Sequence, residues 1–252
     1  MDEIILLTGS TGFIGEKLLQ KLNPKSVFLI TRESFVGDMK IFDVNMNSFP
    51  PSKLENKVII FVHLATYFSK LDEHKNLILE ANINLTKNIL YSISGFQIKK
   101  FIYMNTMYKF YSDENIRELF YTKTKQECSN ILSEYSIKND IFYEEIFLDN
   151  TVGVRDFRNK VIPIICNSIQ SNKENPIKNL ENYINLISVN DVVLRLLHAI
   201  NTNERGSSMF INFKSINLNS IYEFLKYYKD NNVINNKILK YKDNNFVSNN
   251  LK

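Results

Sequence analysis

Apolar residues over positions 1–150 fall into short unbroken runs separated by longer amphipathic stretches. Ile4–Thr8, Val27–Thr31, Met39–Phe42, Val58–Leu64, Lys100–Asn105 and Ile141–Leu148 are the runs. Short runs that do not alternate with polar residues read as strands covered on both faces, since a half-solvated strand would show a period of two. Between them, Ile14–Leu22, His74–Ser94 and Phe120–Lys138 carry apolar positions at helical spacing, and Asn23-Pro24 ends the first. Strand and helix in alternation predict an α/β fold, a doubly wound parallel sheet with helices on both sides. After position 150 the pattern is mixed. Val161–Gln170, Asp191–Ile200 and a stretch near Ile221–Tyr228 read as helical, whereas Asn185–Val189 and Met209–Phe213 read as extended. The expected organisation is a main domain over 1–150 and a small mixed lobe over 151–252, with some of its strands returning to the main sheet.

Composition narrows the class. A chain of 252 residues with 44% hydrophobic and 23% charged residues buries a core without covalent staples. Cys128 and Cys166 are too few for a disulfide framework and have no metal-ligand spacing, and His63, His74 and His198 are scattered, so no metal site is expected. Free thiols fit a reducing compartment, and the expected location is cytoplasmic. The net charge of +4 is spread among acidic and amide residues rather than gathered into a basic stripe, which argues against nucleic acid. No apolar run approaches the ~18 residues of a membrane span. The first residues run directly into a strand, unlike a secretory signal.

Three of the seven glycines lie within Gly9-Ser-Thr-Gly12-Phe-Ile-Gly15, between the first strand and the first helix. A turn with positive φ, a close approach of backbone to a pyrophosphate and tight helix–strand packing each require a residue without a side chain. The helix N-terminus then offers unpaired N–H groups to phosphate. The loop with Thr11, Phe13 and Ile14 is therefore a candidate dinucleotide cradle. An acid at the tip of the second strand would hydrogen-bond the ribose of NAD, whereas Arg accommodates a 2′-phosphate. Here the tip is Thr31-Arg32, which favours NADPH, with NADH or NAD as the alternative. Arg32 also reads as an ordinary surface residue, and His63 as a packed core histidine rather than a catalyst.

The spacing GxxGxxG, in the form Thr8-Gly9-Ser-Thr-Gly12-Phe-Ile-Gly15, resembles the signature of the extended short-chain dehydrogenases, the nucleotide-sugar epimerases, dehydratases and reductases. The resemblance implies further positions. Asp43 matches the acid that contacts the adenine amino group, Leu64-Ala65-Thr66 the segment beside the cofactor, and Asn82 an Asn behind the active site. Tyr121 and Lys125 form the YxxxK of the family at the start of a helix, four residues apart and so on one helix face. Thr106, after Asn105 at the end of the fifth strand, stands where the family has Ser or Thr. The ammonium and the nicotinamide ring would lower the phenol from ~10 toward neutrality, where it exchanges a proton efficiently. The segment Asp149-Asn150-Thr-Val-Gly153-Val-Arg155 and then Lys160-Val161-Ile-Pro163 resembles the part of the family lining nicotinamide and substrate, with Asp149 and Val152 in place of the usual Phe and Tyr. Asn150 is thus expected at both cofactor and substrate, and Met107, Arg155 and Val161 at the substrate.

Met107-Tyr108 stands where the family's 4,6-dehydratases have an Asp-Glu pair, which disfavours water elimination. The short interval from Thr106 to Tyr121 and the compact C-terminal lobe are similar to CDP-abequose and CDP-paratose synthases. That implies hydride transfer from NADPH to the 4-keto group of a nucleotide-linked sugar. A 4-epimerase holding NAD is the alternative, and a non-catalytic dinucleotide-binding regulator is the alternative of another class. The family often dimerises through helices equivalent to His74–Ser94 and Phe120–Lys138, so a homodimer is an expectation here too.

Overall fold

The structure is a computed structural model, and it describes residues 2–31, 40–43, 54–211 and 215–231, with the backbone alone for 40–43. The main sheet is built from β1 (Asp2–Thr8), β2 (Val27–Thr31), β3 (Lys40–Asp43), β4 (Lys57–His63), β5 (Gln97–Thr106), β6 (Phe142–Leu148) and a late strand, β10 (Gly206–Phe210). Their order across the sheet is β10-β6-β5-β4-β1-β2-β3, and each neighbouring pair is parallel. The expected doubly wound sheet is present. The chain moves outward from β1 to β3 and then returns to the other side as β4, so the order reverses between β1 and β4. At such a reversal the loops after the two strands diverge and leave a crevice beyond their C-terminal ends.

Burial explains why these strands lack alternation. Leu6 and Leu7 are adjacent, point to opposite faces and are both fully buried, as are Phe61 and Val62. One face is covered by a broken helix and by α5 (Phe120–Lys138), which packs on β5 and β6. The broken helix consists of α2 (Lys75–Leu79), a π turn (Glu80–Asn84) and α3 (Leu85–Ile93). Ile83, Ile89 and Ile93 from it join Phe61, Phe101, Tyr103, Cys128 and Leu132 in one core. The opposite face meets α7 (Val189–Asn201), whose Arg195 and Ala199 reach Glu144 and Lys100 of the sheet. The helix α1 (Phe13–Leu19) follows β1, and α4 (Glu114–Arg117) precedes α5.

Contacts divide the chain into two units, the first Met1–Asp149 with Asn190–Phe210, the second Asn150–Val189 with residues from Ile211 on. The second unit has its own small core of Ile165, Ile169 and Leu218 between α6 (Val161–Gln170) and α8 (Leu218–Asp230). Two short ribbons complete it. In one, β7 (Asn150–Val152) runs parallel to β9 (Leu186–Ser188), and in the other β8 (Tyr183–Ile184) pairs antiparallel with β11 (Ile216–Asn217). No described helix is long and apolar enough to cross a membrane.

Some boundaries differ from the expectation. The first helix stops at Leu19, where Lys21 and Leu22 turn back to donate to the Leu18 and Leu19 carbonyls, and Asn23 accepts from the Lys25 amide at 3.1 Å to start a separate 3-10 turn. The fifth strand begins at Gln97 and ends at Thr106. The last main-sheet strand is Gly206–Phe210 rather than Met209–Phe213, in register with Glu144–Leu148.

Candidate active site

The three glycines answer different demands. Gly9 has φ +71°, and a Cβ there would stand 2.7 Å from the Ala65 nitrogen. A Cβ on Gly15 would meet the Gly9 carbonyl oxygen at 2.1 Å. Both positions are closed by backbone. Gly12 donates to the Gly9 carbonyl at 3.0 Å, and a Cβ on it would meet only that oxygen, at 3.2 Å. Its exposed side, next to exposed Thr11, is therefore free for a ligand, while Gly9 and Gly15 shape the turn. Beside them the Ser10 hydroxyl is buried with no hydrogen-bond partner among the described residues. A buried polar atom left unpaired is costly, and a phosphate oxygen at this loop would satisfy it. The cradle fits a dinucleotide.

The loop is tied to the sheet from below. Thr8 Oγ1 accepts from the Leu64 and Ala65 amides at 3.2 and 3.1 Å, so its own proton goes to His63 Nδ1, 2.7 Å away. His63 Nε2 must then carry the ring proton, which it gives to Thr86 Oγ1 at 2.9 Å, and Thr86 in turn donates to the Asn82 carbonyl at 3.3 Å. Burial, reinforced by the Lys125 charge, holds His63 down at about 3 and therefore neutral. It is a packed core histidine with both nitrogens engaged, stacked at 5.6 Å on Tyr103.

Asn82 lies in the π turn. The wider turn opens one carbonyl and lets the side chain bridge, Oδ1 accepting from Thr66 Oγ1 at 2.9 Å and the Tyr67 amide at 3.1 Å, Nδ2 donating to Thr124 Oγ1 at 3.1 Å. Thr124 donates to the Tyr121 carbonyl at 2.9 Å. Asn82 thus joins the segment after β4 to the first turn of α5.

Tyr121 and Lys125 are both buried in α5. Burial pushes the Tyr121 phenol up to about 12, with its hydrogen bond to Thr66 acting in the other direction and Tyr108 adding to the rise. Lys125 Nζ donates to the Met104 carbonyl at 2.6 Å and lies 4.2 Å over the Tyr103 ring. Burial lowers the Lys125 ammonium to about 8, with the nearby Cys128 and Glu145 side chains acting in the other direction. The Tyr121 ring is fixed edge-on by Phe68 at 4.9 Å and by Tyr108 at 6.2 Å.

Thr106 ends β5 and caps the 3-10 turn Met107–Phe110, its hydroxyl accepting from the Tyr108 amide at 3.3 Å. Lys125 is bonded two residues before Thr106, and Tyr108, two residues after it, packs on Tyr121. The strand end and the first turns of α5 therefore bring the three residues to one place. Met107 is buried beside Thr106. Asn105 is engaged internally, Oδ1 accepting from the Thr106 amide at 2.7 Å and Nδ2 donating to Glu145 at 2.6 Å.

Leu64 and Ala65 are half-buried and Thr66 is exposed directly after β4. Phe13 and Ile14 open α1. Asp43 ends β3, and nothing further is described of it. Arg32 lies outside the described residues. In the second unit Asn150 begins β7, exposed Arg155 has φ +61°, and half-buried Val161 begins α6. Sequence reasoning missed the supporting residues Thr8, Thr86, Tyr103, Thr124 and Glu145. One signal was present, since Glu144-Glu145 interrupts an otherwise apolar strand.

A Rossmann sheet with a glycine cradle at its reversal point and a Thr/Tyr/Lys set beside it defines an NAD(P)-dependent enzyme of the short-chain dehydrogenase type. The chain belongs to the NAD dependent epimerase/dehydratase family, whose model matches residues 5–212. It is 23% identical to CDP-abequose synthase of Yersinia pseudotuberculosis, over 91% of this chain and 86% of that one. It is 24% identical to dTDP-D-glucose 4,6-dehydratase of Dictyostelium discoideum, over 85% of this chain and 62% of the relative's length. Among solved structures, UDP-glucuronic acid 4-epimerase of Bacillus cereus, in complex with UDP-glucuronic acid and NAD, superposes with a TM-score of 0.78. That match covers 90% of this chain and 83% of the epimerase at 17% identity, a likeness of fold.

Proposed function

We propose that this protein is an NADPH-dependent reductase of the 4-keto group of a nucleotide-linked deoxyhexose, of the CDP-4-keto-3,6-dideoxyhexose type, in surface-polysaccharide sugar biosynthesis. The observation that carries the reading is the resemblance to CDP-abequose synthase over most of both chains. A reductase must give a proton to the ketone oxygen, and the Tyr121 phenol, buried at the start of α5, would serve as that acid. Met107 and Tyr108, in place of a carboxylate pair, support it further, because elimination of water needs a separate acid and base.

Gly9, Thr11, Gly12, Phe13, Ile14 and Gly15 would hold the pyrophosphate, Asp43 the adenine, and Leu64–Thr66 and Lys125 the nicotinamide half. Bound there, NADPH supplies the hydride that reduces the sugar C4. Thr106 orients the ketone by hydrogen bonding, and Tyr121 donates its proton to the ketone oxygen as that oxygen gains charge. Lys125 is the cation beside the donor after proton loss. Phe68 and Tyr108 keep the phenol in one orientation and exclude water from it.

The test is reaction of the purified protein with NADPH and a CDP-linked 4-keto-3,6-dideoxyhexose, followed by loss of reduced-nicotinamide absorbance. Stoichiometric oxidation is the expected result. Retained NAD with interconversion of 4-hydroxy sugars and no net oxidation would establish the epimerase. Binding without turnover would leave the regulator.

A further inference from the structure

Two neighbouring glutamates in β6 point to opposite faces of the sheet. Glu144 faces α7, where Lys100 and Arg195 both bond it. Glu145 faces α5, is 5% exposed, and forms no ion pair among the described contacts. Its oxygens accept from Asn105 Nδ2 at 2.6 Å and Ser207 Oγ at 3.1 Å. Glu145 is the cross-strand partner of Tyr103, whose ring lies 4.2 Å under the Lys125 ammonium. Parallel partners stand side by side on one face, about 4.8 Å apart, so the carboxylate lies next to the ring that supports the cation.

We propose that Glu145 is a positioning residue of the active site, a buried carboxylate that keeps Lys125 protonated and, through Asn105, anchors the strand end bearing Thr106. The groups facing Lys125 are His63 from β4, Tyr103 from β5, Glu145 from β6, and Cys128 and Tyr121 from α5 itself. His63 is neutral, since burial holds it near 3. Burial raises the Cys128 thiol, the Tyr103 phenol and the Tyr121 phenol, so each keeps its proton near pH 7. Of these groups Glu145 alone brings a negative charge, and it opposes the desolvation that drives the proton off the lysine. Glu145→Gln preserves shape, accepts from Asn105 through its amide oxygen, donates to Ser207 Oγ through its amide nitrogen, and removes the charge. A lysine that loses its proton cannot stabilise the phenolate left after proton transfer.

Relevance to catalysis rests on the proposed reductase reading, but the test does not. The titration of [6-13C]lysine is read by NMR on the full chain without substrate or cofactor, with Lys125→Arg assigning the resonance. The native chain should show this lysine titrating at about 8. Glu145→Gln should weaken its proton affinity roughly tenfold, and Glu145→Asp, with the charge one methylene further back, by a smaller factor in the same direction. An unmoved midpoint in Glu145→Gln overturns the proposal. If that variant does not fold, an unmoved midpoint in Glu145→Asp does so. Glu145→Ala, which strands the Asn105 amide, should speed hydrogen exchange at the Thr106 N–H at least several-fold, and unchanged exchange overturns the anchoring half.

Discussion

Lys100 and Lys125 are both withdrawn from water, at 0% and 3% exposure, but on opposite faces of one sheet and in opposite company. Lys100 is fully answered, bonded to Glu144 and to the carbonyls of Ala199 at 2.8 Å and Thr202 at 3.2 Å at the end of α7, where a cation meets the negative end of a helix. Lys125 has one carbonyl, an aromatic face and a carboxylate held by other groups. A paired buried charge stabilises its surroundings, whereas a cation left partly unanswered costs stability and keeps bonding capacity for a ligand. One face of this sheet is arranged for persistence and the other for chemistry.

The largest effects should separate the two lysines. Lys125→Met should lower reductase turnover by about 10²–10⁴-fold, the range for losing an acid–base participant. It should leave the melting temperature equal or raised, because a desolvated charge is replaced by an apolar chain. Lys100→Met should do the reverse, costing about 1–3 kcal/mol in denaturant unfolding by leaving buried Glu144 to Arg195 alone, while turnover of the folded fraction stays within about twofold. If both variants lose stability alike, the contrast fails. Tyr121→Phe should abolish turnover by at least about 10²-fold with NADPH affinity retained, measured by fluorescence titration.

Smaller effects follow from pH. His63 sits near 3 in the fold and ~6.5 when unfolded, so below 6.5 the unfolded chain binds the extra proton. Stability should fall by about 1.4 kcal/mol for each unit between 6.5 and 3, and His63→Gln should flatten that slope. Lys125 works in the alkaline window. With about 8 in the fold against ~10.4 unfolded, stability should rise with pH between those values, and the rise should vanish in Lys125→Met. Equilibrium unfolding across pH reads both. Smallest in stability, Gly12→Ala should keep the fold within about 1 kcal/mol yet weaken NADPH binding, since only Gly12 of the three glycines presents its open side.

The sheet was legible because each strand is short, apolar on both faces and separated from the next by a helix, so local pattern and global architecture agree. The cradle and the Thr106, Tyr121 and Lys125 set were legible because their spacing follows strand ends and helix turns. The supporting network was not. Thr8, Thr86 and Thr124 are ordinary hydroxyls in sequence, and only strand register and helix packing bring them to His63 and Asn82. The course of the Lys125 side chain was not legible for the same reason. Spacing places a lysine on the same helix face as the phenol, but the Met104 carbonyl and the Tyr103 ring decide where its ammonium goes.

The widened turn at Glu80–Asn84 also restricts how this chain can change length. One residue added to a regular helical turn would rotate everything after it by about 100°, and the wider turn absorbs that rotation. Leu85, Ile89 and Ile93 therefore stay on the face that reaches the core. Deleting a single residue there would restore regular winding and keep those three side chains inward while withdrawing the Asn82 bridge, whereas adding a further one would swing them out. Within this helix, shortening by one sacrifices the polar link and spares the packing, and lengthening by one costs the packing.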